Sequence, residues 1–102
     1  MSDTPSLHEE IIRNQIFEEE FPVVNSVQEY ELLIGRKLQS LIKNDQHTLM
    51  NLLYRIDIKE SLTKEAFKEE SVEAIAAVLA RRIIERLQQK IELRKKYSDK
   101  GE

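Results

Sequence analysis

A chain of 102 residues, 40% hydrophobic and 34% charged, suits one domain that buries roughly 60 to 70% of its unfolded surface without metal or disulfide staples. Having no cysteine, it can form neither a disulfide framework nor a thiolate zinc site. The net charge of −3 is unevenly spread: residues 1–80 hold 15 acidic and 8 basic side chains, net −7, and residues 81–102 hold 8 basic and 4 acidic, net +4.

Such asymmetry marks either a surface for nucleic acid or an acidic partner, or a basic helix lying against an acidic neighbour within a bundle or across a dimer. The start MSDTPSLHEE has neither the basic n-region nor the apolar block of a signal peptide. No apolar run nears the roughly 18 residues of a membrane span. The expected location is cytoplasmic, with no membrane contact. With two glycines, two prolines and abundant Leu, Ile, Glu, Lys, Gln and Arg, the composition predicts an all-α fold, a compact four- to five-helix bundle with a long C-terminal helix.

Ser6-Leu7-His8-Glu9 matches a capping box and predicts a first helix over 7–20, with Leu7, Ile11, Ile12, Ile16 and Phe17 as its apolar stripe. Phe21-Pro22 would stop it. The run Glu18-Glu19-Glu20 sits badly at its C-terminal pole, so residues 1–25 read as an extension with a helix and residues 26–97 as the bundle domain. Ser26-Val27-Gln28-Glu29 is a second capping box. It predicts a helix over 27–43 with Val27, Tyr30, Leu33, Ile34, Leu38, Leu41 and Ile42 on one face. Asp45 offers an N-cap for a third helix, 46–55, carrying Leu49, Met50, Leu52, Leu53 and Ile56.

Asp57-Ile58-Lys59-Glu60 repeats the cap-x-x-Glu pattern, so Asp57 is expected to be a structural cap that opens a short helix over 58–68 with Ile58, Leu62, Ala66 and Phe67. Arg55 is expected to complement the preceding helix's negative pole and to pair with a nearby carboxylate. Ser71 caps the longest element, 72–96, which spans roughly 37 Å at 1.5 Å per residue. Its stripe is Val72, Ile75, Ala76, Leu79, Ile83, Leu87 and Ile91, widened by Ala80, Ile84 and Leu93. A disordered tail is expected over 98–102.

LLYRIDIKES in mid-chain, with IIERLQQKIELRKKY near the end, resembles a set of short, uncharacterised all-helical bacterial proteins. In these a YRID or YRVD step precedes a short helix and a basic IIxRxxQK helix follows. The resemblance covers residues 27–96. It implies the fold and a bacterial origin, and no catalytic residue.

Catalytic motifs fail one by one. His8-Glu9-Glu10-Ile11-Ile12 has isoleucine where a zincin needs its second histidine. Gly35-Arg36-Lys37 lacks the upstream glycine and the following hydroxyl of a phosphate-binding loop and falls inside a helix. His47 has polar neighbours and reads as a surface residue. Glu9, Glu10, Glu18, Glu19 and Glu20 do not converge as consecutive helical positions. No enzyme, cofactor or metal site is expected.

The sequence therefore predicts an interaction or adaptor module that binds another protein or itself as a homodimer. The long helix should supply the surface through Leu79, Ile83, Leu87 and Ile91 with Arg82, Arg86, Lys90 and Arg94. That stripe looks too long for the short third and fourth helices to cover. Tyr30, Tyr54 and Tyr97 would add anchors if exposed. The alternative is nucleic-acid binding through Arg81, Arg82, Arg86, Lys90, Arg94, Lys95 and Lys96, a field that Glu85 and Glu92 interrupt.

Overall fold

The described residues of this computed structural model, 4–18 and 22–100, form five α-helices and no strand. These are α1 (Thr4–Arg13), α2 (Val27–Asn44), α3 (Gln46–Ile56), α4 (Glu60–Ala66) and α5 (Val72–Lys100). Three starts follow from side-chain caps at the expected residues. Ser26 Oγ accepts from Glu29 N at 3.2 Å, Asp45 Oδ1 from Thr48 N at 3.1 Å, and Ser71 Oγ from Ala74 N at 3.0 Å. Asp45 serves two helices at once, because its own N–H donates to Leu41 O at 2.8 Å and closes α2. The Thr48 hydroxyl, 2.5 Å from Asp45 Oδ2, and the Thr48 N–H hold that carboxyl below its ordinary range.

The first helix departs from expectation at both ends. It begins at Thr4, before Ser6, with Pro5 in the first turn, where the N–H that proline lacks would have had no intrahelical acceptor. It ends at Arg13, seven residues early. Gln15 N–H donates to Ile12 O at 3.0 Å and Ile16 N–H to Ile11 O at 3.3 Å, with Gln15 at φ 55°. This is a Schellman turn with glutamine at the left-handed position that glycine usually occupies. Glu18 therefore lies beyond the helix, and the electrostatic objection to the helix vanishes with it. Glu19, Glu20 and Phe21 lie outside the described residues.

The long helix continues through Lys100, past the point after residue 97 where a tail was expected. Ser98, Asp99 and Lys100 contain no helix breaker, and Gly101 and Glu102 lie outside the described residues.

One apolar cluster joins all five helices. Tyr30, Ile34, Leu38 and Ile42 enter it from α2, Leu49, Leu52, Leu53 and Ile56 from α3, and Ala66 from α4. From α5 come Ala76, Leu79, Ala80, Ile83, Ile84, Leu87 and Ile91. Leu7 and Ile11 of α1 and Ile16 of its turn are fully buried in the same cluster, so the N-terminal segment is part of the core that the bundle shares. Each of the other four helices packs against α5, which is the spine.

The broadest contact, α2 on α5, has a small-on-small approach at its centre, where Gly35 faces Ala80. A β-carbon at Gly35 would lie 4.0 Å from Ala80 Cβ, an ordinary van der Waals distance. Gly35 is therefore a helix-interior glycine with no steric reason to be one, and Gly35→Ala should raise stability by about 0.5 to 1 kcal/mol. Urea denaturation followed by circular dichroism reads this directly. A loss of stability would show that α2 and α5 need a closer approach than the free chain adopts.

Candidate functional site

The polar residues that the fold brings together lie along the seam between α1 and the distal half of α5. Glu10 falls three residues after Leu7, on the buried face of α1, and is only 2% exposed. Its two carboxylate oxygens accept from Arg94, Oε1 from Nε and Oε2 from Nη2 at 3.4 Å. Oε2 also accepts from Asn14 Nδ2 at 2.9 Å, and Arg13 Nε approaches Oε1 at 3.8 Å. One helical turn on, Lys90 Nζ donates to Asn14 Oδ1 at 2.8 Å. Rising numbers on α1 meet falling numbers on α5, so the two helices run antiparallel.

Burial alone pushes the Glu10 carboxyl up. The hydrogen bond and charge of Arg94, with Asn14 and Arg13, more than offset that and hold it below its ordinary value of 4.5. Bonding to Glu10 raises the Arg94 guanidinium in turn. Desolvation, with the neighbouring Arg86 charge, lowers the Lys90 ammonium.

Arg55 and Asp57 hold the chain at two left-handed turns. Among the described residues Arg55 does not pair with a carboxylate. Its Nε donates to Asn14 O at 3.2 Å and its Nη2 to Gln15 O at 3.1 Å, so it clamps the carbonyls at the end of α1. Asp57 is a cap, but of the helix before it. Its φ is 70°, its N–H donates to Tyr54 O at 3.1 Å, and Ile58 N–H donates to Leu53 O at 3.0 Å, a second Schellman turn. The N-cap of α4 is Lys59, which makes no side-chain cap bond. The Asp57 carboxylate is thereby released to α5, where Oδ2 accepts from Arg86 Nη2 at 3.1 Å.

The eight residues expected to bind a partner divide sharply. Leu79, Ile83 and Leu87 are fully buried and Ile91 nearly so, which corrects their assignment to an interface. The reach of α1 along the distal half of α5 supplies the cover that α3 and α4 are too short to give. Arg86, Lys90 and Arg94 make the contacts with Asp57, Asn14 and Glu10, and Arg82 Nη1 donates to Glu85 Oε1 at 3.1 Å. Arg81 lies 3.7 Å from Glu31 on α2. The basic helix thus meets acidic neighbours inside the bundle, and at least five of the seven cations that would have formed a nucleic-acid surface have partners within the chain.

Tyr30 is fully buried, its hydroxyl 2.9 Å from His8 Nδ1, and burial pushes its phenol up. Tyr54 and Tyr97 are 88% and 72% exposed. Among the described residues no group of three His, Asp or Glu side chains is placed to hold a metal, and no helix is long and apolar enough to cross a membrane. The roles of Glu10 and Asn14 were not anticipated from the sequence. The available signal was a carboxylate at a position in register with Leu7 and Ile11.

The folded chain holds the Glu10 proton less tightly than the unfolded chain. The pair's contribution is therefore complete above the unfolded carboxyl value near 4.5 and is lost as pH falls through the lower folded value. Glu10→Gln should cost about 1 to 3 kcal/mol at pH 7, and the gap from the parent should narrow below pH 4.5 in urea denaturation. A gap independent of pH would remove Glu10 from this role. At position 57, glycine and asparagine tolerate the left-handed turn, and serine and alanine do not. Asp57→Gly and Asp57→Asn should stay within about 1 kcal/mol of the parent, while Asp57→Ser and Asp57→Ala fall about 1 to 2 kcal/mol below it. Serine is a good N-cap, so an Asp57→Ser protein as stable as the parent would return Asp57 to the start of α4.

The chain matches no protein-family model, no curated protein and no solved structure.

Proposed function

We propose that the protein is a non-catalytic interaction module that docks through the distal end of α5 onto an apolar, acid-rimmed surface of another protein. The observation that carries this reading is the pair Leu93 and Tyr97. They lie one turn apart on one helical face and are 47% and 72% exposed. Lys90 and Arg94 line the same concave strip, and Lys95 and Lys96 stand beside it. Tyrosine and leucine give contact area at modest entropic cost, and a basic rim selects an acidic counterpart.

Met50 and Tyr54 form a second exposed apolar pair, on α3, but their helical neighbours His47 and Asn51 specify no charge in a partner. Self-association through the Leu79 to Ile91 stripe has lost its surface. Pairing two α5 ends face to face would set Lys95 and Lys96 against like charges, so the occupant is a different protein, with a second copy as an outcome of the test.

The test compares the parent with a Leu93→Lys, Tyr97→Ser double variant and with a Leu32→Lys control at another exposed apolar site. A protein captured from cell extract by the parent and the control, and lost with the double variant at unchanged melting temperature, supports the reading. Capture that ignores the double variant overturns it. Concentration-dependent dimerisation in light scattering that the double variant abolishes would replace the foreign partner by a second copy. A nucleic-acid shift with a steep salt dependence would replace it by a polyanion.

A further inference from the structure

We propose that the cleft between α2, α3 and the turn after α1 binds a small organic anion with an apolar body, such as an arylacetate. This site is separate from the distal α5 face. Among the described residues two larger concavities are lined by α5 residues alone and are open helix flanks, and a third runs between α4 and α5. This cleft of about 430 Å³ draws its walls from three different elements, and its size falls within the range of small-ligand pockets. Phe17 and Leu41 supply apolar wall over the buried Ile16 and Leu52, and Lys37, Arg55 and Asn51 bring two cations and an amide to the same space.

The two cations are not used up by the fold. The Lys37 ammonium lies 5.7 Å from the centre of the Phe17 ring and has no carboxylate partner among the described residues. Arg55 commits Nε and Nη2 to the carbonyls of Asn14 and Gln15, and no hydrogen bond within the described residues takes Nη1. Those same bonds fix the guanidinium plane before any ligand arrives, which lowers the ordering cost of binding. Among the described residues of the lining Glu18 is the one carboxylate, and Lys37, Arg55 and Glu18 sum to +1.

A carboxylate between Lys37 and Arg55 would accept charge-assisted hydrogen bonds, and an aromatic body would lie against Phe17 and Leu41. A phosphate without an apolar body would leave that wall uncovered.

The probe is phenylacetate, titrated into the full-length ¹⁵N-labelled chain, with acetate and phenylacetamide as the charged and neutral halves of the same molecule. Amide shifts confined to residues around Lys37, Asn51 and Arg55, saturating with phenylacetate and about ten-fold weaker with either half, are the expected result. Lys37→Met should weaken phenylacetate binding about ten-fold with an unchanged melting curve, and Lys37→Arg should restore it. If Lys37→Met lowers the melting temperature, Asn51→Ala at an exposed position takes its place. Absence of saturation, equal binding of phenylacetamide, or indifference to these substitutions overturns the proposal.

Discussion

Folding removes the Glu10 carboxylate from water, and a buried carboxylate is tolerated only where a cation and further donors meet it. Arg94 and Asn14 meet that demand, and in doing so they settle where α1 lies. Leu7 and Ile11 would fit many apolar grooves, whereas the carboxylate between them fits one register on α5. With α1 fixed, Leu87 and Ile91 gain their cover, the turn at Gln15 comes within reach of Arg55, and the wall of the α2/α3 cleft is completed.

The same seam accounts for the charge distribution of the chain. Glu10, Glu31 and Asp57 belong to the acidic majority, and their partners Arg94, Arg81 and Arg86 to the basic last helix. Most of these pairs are at least partly exposed and contribute little individually to stability. Their weight is in specificity, since a basic helix among acidic neighbours resists sliding or inversion. Lys95 and Lys96 carry the basic character on, to the end of the molecule where Leu93 and Tyr97 are also exposed.

The helices were legible because their determinants are local. Ser26, Asp45 and Ser71 each accept a backbone N–H within four positions, and the stripes of α2, α3 and α5 repeat at helical spacing. What was not legible depends on residues far apart in the chain. Periodicity shows that Ile83 and Leu87 share a face, but not that α1 closes over the distal part of that face. The cap-x-x-Glu pattern at Asp57 fits an N-cap, yet a left-handed turn anchored by Arg86, 29 residues on, took that aspartate instead. Arg55 likewise found carbonyls 40 and 41 residues earlier in place of a local carboxylate. The α2/α3 cleft shares this origin, because its cations come from two helices and part of its apolar wall from the turn after α1.

The separation of Glu10 from Arg94 has a kinetic side. Helices α2 to α5 follow one another through short connections, and their contacts, up to α2 on α5 at Gly35 and Ala80, close shorter loops than the one that docks α1. The Glu10 to Arg94 contact closes a loop of 84 residues. On the ribosome α1 emerges first and its partner last, and at about 5 to 20 residues per second the wait is roughly 4 to 17 s. Throughout that interval α1 lacks the cover of the distal half of α5, although its contacts with Tyr30 and Arg55 can already form. Docking of α1 on α5 therefore reports that synthesis has passed the end of the bundle.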